Sequence, residues 1–107
     1  MDFSEYQKIS KSSAVYPKRL NSGIYYPALG LAGEVGEVLN KIKKIGRDNA
    51  EIDKEGLASE IGDVLWYLSQ LALELGISFN DVAFDNISKV KDRATRGVTH
   101  AGEGDNR

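Results

Sequence analysis

Leu29-Gly30-Leu31-Ala32-Gly33-Glu34-Val35-Gly36-Glu37 and, after the interval 38–59, Glu60-Ile61-Gly62-Asp63-Val64-Leu65-Trp66-Tyr67 decide how this sequence is read. Each stretch carries two acids three positions apart. On a helix such a pair is separated by about 60° around the axis and roughly 4.5 Å along it, so both carboxylates point the same way. The flanking residues keep a helical period. Leu31, Val35, Val38, Leu39, Ile42 and Ile45 surround the first pair, and Leu57, Ile61, Val64, Leu65, Leu68, Leu71, Ala72 and Leu75 the second. The second and third helices of the chain are thus placed near Tyr25 to Gly46 and over 54–75. The polar link between them is short enough for an antiparallel hairpin.

Outward from this hairpin the pattern stays helical. Phe3, Tyr6 and Ile9 form a stripe on a first helix capped by Asp2 or Ser4, and residues 14–23, with Pro17, Asn21 and Gly23, read as a loop. Tyr16, Lys18 and Arg19 of that loop are candidates to line a site. Pro27 suits the first turn of the second helix, where an N–H is not needed, and Gly46 reads as its stop. Ser78, with Asp81 three residues later, caps a fourth helix whose inner face is Phe79, Val82, Ala83, Ile87 and Val90. The fold class is all-α: a four- to five-helix bundle, mostly antiparallel, with the domain at 1–96 and a flexible, glycine-rich tail at 97–107. The apolar breadth of the third helix leads us to expect an oligomer.

Composition limits the function. Fourteen Lys and Arg against sixteen Asp and Glu give a formal charge of -2, which is no footprint for nucleic acid. There is no cysteine, so thiolate metal sites and thiol nucleophiles are excluded. Met1 to Glu5 is unlike a signal peptide, and no apolar run approaches the roughly 20 residues that span a bilayer. The expectation is a cytoplasmic protein with no membrane and no nucleic-acid partner.

Four carboxylates brought together by the hairpin repel one another unless they take up protons or bind a cation. A single such pair reads as solvated surface; two facing pairs within apolar stretches read as a metal site of Glu34, Glu37, Glu60 and Asp63. Oxygen ligands alone suit Mg²⁺, with Mn²⁺ as a second choice. Di-iron bundles use Glu-x-x-His twice, whereas the one histidine, His100, lies in the tail. Gly30, Gly33, Gly36 and Gly62 beside the acids serve close helix approach, space for metal and phosphate, or both.

The two acidic strings resemble the E-x-x-E…E-x-x-D signature of MazG-like proteins, in the all-α nucleotide pyrophosphohydrolase superfamily. Asn86-x-x-Lys89-x-x-x-Arg93 is similar to the family's downstream set. These three share one helical face, and Lys89 and Arg93 otherwise read as a solvated C-terminal turn. The resemblance implies hydrolysis of a nucleoside triphosphate to monophosphate and pyrophosphate, Glu37 or Glu34 as general base, and Asn86, Lys89, Arg93 and Tyr67 at the substrate. It also implies a homodimer or homotetramer and a role in clearing unwanted nucleotides. Gln7, Tyr16, Tyr25 and Tyr26 are candidates for a base or sugar pocket; Trp66 reads as core or interface. Rival readings are a dUTPase, a phosphoribosyl-ATP pyrophosphohydrolase, or a non-catalytic helical module that dimerises and senses nucleotides.

Overall fold

Asp2 starts the first helix: its Oδ1 accepts a hydrogen bond from the Glu5 backbone N–H at 2.8 Å. In the computed structural model, which describes residues 1–18 and 23–97, the helices are α1 (Phe3–Ser12), α2 (Tyr25–Asp48), α3 (Lys54–Glu74) and α4 (Phe79–Arg96). No strand occurs among the described residues. Local chemistry sets most boundaries. Asp53 accepts from the Gly56 N–H to open α3, and Ser78 accepts from the Asp81 N–H to open α4. Gly76 and Gly97, with φ of 69° and 73°, adopt the left-handed conformation that ends α3 and α4.

One boundary differs from the sequence expectation. Gly46 does not stop α2, which runs on to Asp48. Asn49 takes the left-handed cap at φ 51°, and its N–H donates to the Ile45 carbonyl. Asparagine tolerates this conformation, so the helix gains most of a turn before it ends.

α2 and α3 form the antiparallel hairpin: Gly30 lies against Tyr67, and Gly23 against Glu74. α1 and α4 pack on each other and on α3. Gln7 ties these elements together. Its Nε2 donates to the Ile77 carbonyl at 2.9 Å, and its Oε1 accepts from the Phe79 N–H at 3.0 Å. Phe79 seats its ring edge-on to Phe3, with centroids 5.2 Å apart. This places Gln7 in a structural clamp rather than a base pocket.

The interior of a single chain is small. Pro27, Ala72 and Phe79 are the buried apolar side chains among the described residues, beside a polar set of Ser10, Ser69, Gln70 and Arg93. The Ser10 and Ser69 hydroxyls hydrogen-bond at 2.7 Å. Much of the expected inner surface faces outward instead: Val35, Leu39 and Ile42 on α2, Ile61, Leu68 and Leu75 on α3, Val82, Ile87 and Val90 on α4. Ile61 is 58% and Leu39 60% exposed. The periodicity is real, but these stripes have no partner within one chain. No helix among the described residues is long and apolar enough to cross a membrane. Arg19 and residues 98–107 of the expected tail, His100 included, lie outside the described residues.

Candidate metal centre

Glu34 comes from the middle of α2, and Glu60 and Asp63 from the first half of α3. One carboxylate oxygen from each lies within 4.8 Å of those of the other two. The antiparallel hairpin produces this meeting, because Gly30 opposite Tyr67 sets the register one turn before Glu34. Glu37, three residues further along α2, stands outside this triad and is exposed.

The electrostatics follow from the geometry. Burial holds the Glu34 carboxyl above its ordinary range, and the charges of Asp63, Glu60 and Glu37 add to the rise. Burial lifts the Tyr67 phenol, helped by the Tyr26 hydroxyl and by the charges of Glu34 and Asp63. Tyr6 of α1 is lifted by burial and then by Asp63. The triad thus lies in a rim of half-buried tyrosines, a setting in which a divalent cation offsets the repulsion. Oxygen donors of this kind fit a hard cation.

The glycines divide into two kinds. A methyl group added at Gly30 would run into the Tyr67 ring, so the missing side chain permits close helix approach. A methyl at Gly33, Gly36 or Gly62 would meet nothing, so packing within one chain does not account for these. They leave bare backbone beside the acids. Gly30→Ala is expected to destabilise the fold by about 1–2 kcal/mol, an overpacking cost larger than the gain in helix propensity. Gly46→Ala, inside α2 with open space around it, is expected to stabilise by about 1 kcal/mol. Urea unfolding of both variants checks the pair of opposite signs.

The remaining predicted residues occupy other places. Tyr16 and Tyr26 stack face to face at 5.0 Å, and Trp66 sets its edge against Tyr16 and Tyr67. Trp66 Nε1 donates to the Ser13 hydroxyl. Tyr25 is exposed. Asn86 and Lys89 are exposed on α4, whereas Arg93 is 6% exposed with its Nε unpartnered. The backbone of α4 runs beside α1 and α3 and not beside α2, and the charges acting on Glu34 are those of Asp63, Glu60 and Glu37 rather than of these three.

Residues 27–98 match the MazG nucleotide pyrophosphohydrolase domain. The chain belongs to this family. It is also similar to the Gene 37 protein of Mycobacterium phage L5, at 39% identity over 110 residues, covering 95% of this chain and 96% of that protein. No solved structure matches. The MazG match takes in α2 from Pro27, α3 and all that follows to Gly97, hence the triad and the Asn86, Lys89 and Arg93 set. α1, with Tyr6 and Ser10, lies outside it.

Sequence reasoning missed Gln70 and Glu74. Both follow Tyr67 at helical spacing on α3, and a buried glutamine inside an apolar helix was the available signal. It was also silent on the Tyr16 hydroxyl donating to Glu74 Oε1 at 2.8 Å, and on Lys18 pairing with the same oxygen at 3.2 Å. These partners hold the Glu74 carboxyl below its usual range, the Tyr16 hydrogen bond most of all.

Proposed function

We propose that this MazG domain is a Mg²⁺-dependent nucleoside triphosphate pyrophosphohydrolase, which releases the monophosphate and pyrophosphate and clears unwanted nucleotides in the cytoplasm. The single observation that carries this reading is the convergence of Glu34, Glu60 and Asp63 from two helices. These three hold the cation; Mn²⁺ fits the same oxygens. When bound, it supplies Lewis-acid polarisation of phosphoryl oxygens and lowers the pKa of a bound water.

The chain's own residues do the rest. Glu37 is one turn from Glu34, near enough for its charge to act on that carboxyl, and serves as a fourth ligand to the ion or as general base. Glu34, deeper and crowded by like charge, serves the ion. Tyr67 borders the triad and positions the substrate. Asn86, Lys89 and Arg93 bind phosphate oxygens. The buried Arg93 guanidinium with an unpartnered Nε supports this, because a buried cation is stabilised by an anion that completes its hydrogen bonds.

The domain works as a homodimer or homotetramer. The uncovered stripes of α2, α3 and α4 support this, since apolar surface on that scale is covered when copies pair. Assembly would also bring the α4 residues of one copy within reach of another copy's acids.

Pure protein with Mg²⁺ is expected to release pyrophosphate from at least one member of a panel of ribo- and deoxynucleoside triphosphates, dUTP and phosphoribosyl-ATP. A preference for dUTP or phosphoribosyl-ATP would assign the matching specialised activity. Nucleotide binding without product would identify a sensor, and neither binding nor release would end the enzymatic reading.

A further inference from the structure

The polar stripe of α3 continues past Tyr67. Glu60, Asp63, Tyr67, Gln70 and Glu74 follow at steps of three and four residues and therefore share one face of the helix. Beyond Tyr67 this face borders a cavity of about 290 Å³, lined by Tyr16, Lys18, Gln70, Leu73 and Glu74 among others. Gln70 is 1% exposed, and its Nε2 has no hydrogen-bond partner. A buried amide donor in that condition is satisfied when a ligand brings an acceptor oxygen.

Hydrogen bonds and ring contacts join the residues around the cavity. Glu74 Oε1 takes the Tyr16 hydroxyl and the Lys18 ammonium together. Tyr16 in turn stacks on Tyr26 and meets the edge of Trp66. A smaller groove of about 140 Å³ shares Tyr16 with the cavity and is lined also by Tyr26, Trp66 and Tyr67, the last of which stands beside the acids. Seven residues separate Asp63 from Gln70, about 10 Å along the helix axis. That is comparable to the reach of a nucleotide from its α-phosphate to the outer edge of its base.

We propose that this cavity is the base-recognition subsite, and that Gln70 selects nucleotides whose base carries a ring carbonyl oxygen (uracil, thymine, cytosine, guanine) against adenine. This rests on the pyrophosphohydrolase reading above. Gln70 Nε2 donates to the carbonyl oxygen. Adenine has no such oxygen and leaves the donor buried and unpaired, and sites of this kind reject the analogue that lacks the partner.

Steady-state kinetics with dUTP, dTTP, dCTP, dGTP and dATP tests the proposal in wild type and Gln70→Met. Wild type is expected to favour at least one carbonyl-bearing base over dATP by ten-fold or more in kcat/KM. Gln70→Met is expected to shrink that preference by about ten-fold, through KM rather than kcat. Equal use of dATP by wild type, or a variant that loses rate uniformly across all five, would overturn it; in the first case water rather than a base satisfies Gln70. Calorimetry of dUMP against dAMP on the wild-type protein reads the subsite without turnover or mutation. Tighter dUMP binding by ten-fold supports the proposal, and equal or undetectable binding of both counts against it. If no nucleotide is hydrolysed but dUMP is selected, the catalytic reading fails and the subsite stands.

Discussion

Asp63→Asn is expected to reduce pyrophosphate release by at least about 10²–10³-fold, the scale on which loss of one charge-stabilising group acts in a preorganised site. Asp63 is one corner of the triad, and its charge follows burial as a cause of the raised Glu34 carboxyl. The same substitution is expected to have the opposite effect on the metal-free fold. Removing one of three crowded anions relieves repulsion, so the melting temperature in chelator should rise. A raised carboxyl adds stability that is present below its ordinary range and fades as pH climbs through the raised value. Metal-free wild type should therefore melt higher on mild acidification, with a weaker dependence in Asp63→Asn. Activity assays and melting curves in chelator across that acidic window check both. Normal turnover in the variant would remove the triad from catalysis.

The double substitution Ile61→Lys with Leu68→Lys is expected to convert the proposed assembly to monomer. The two side chains sit seven residues apart on one face of α3, 58% and 38% exposed in a single chain. Covering each in an interface contributes about 1.5–3 kcal/mol, so losing both weakens pairing by roughly 10²–10⁴-fold even before charge is counted. Sedimentation at micromolar concentration should show wild type as dimer or tetramer and the variant as monomer with a lower melting temperature. A monomeric wild type would mean that these stripes serve another purpose.

The fold was legible wherever the deciding chemistry was local. Asp2 and Ser78 announce their helix starts within four residues, because a cap satisfies N–H groups of its own turn. The acidic pairs were legible for the same reason, since three-residue spacing on a helix fixes a shared direction. Asn49 in place of Gly46 was less so, because a glycine inside a helix looks the same as one at its end. The exposure of Ile87 and Val90 was not legible at all: periodicity reports that a face is apolar and not which molecule covers it. Within the site, the closeness of Glu34 to Glu60 and Asp63 needed the register of α2 on α3. Gln70 needed the loop carrying Tyr16 and Lys18, which comes some fifty residues earlier and meets α3 only in three dimensions.

The Gln7 clamp sets an order of events during synthesis. Its two partners are 70 and 72 residues downstream. A ribosome that has released α1, α2 and α3 has built the hairpin, which closes locally and quickly. It has not yet supplied the Phe79 N–H that Gln7 holds. Until then α1 has only α3 to rest on, through the Ser10–Ser69 and Trp66–Ser13 hydrogen bonds, and closure of the longer loop onto α4 comes with the last helix. A chain cut short before Phe79 would therefore emerge with its acids assembled and its first helix held from one side only, by α3.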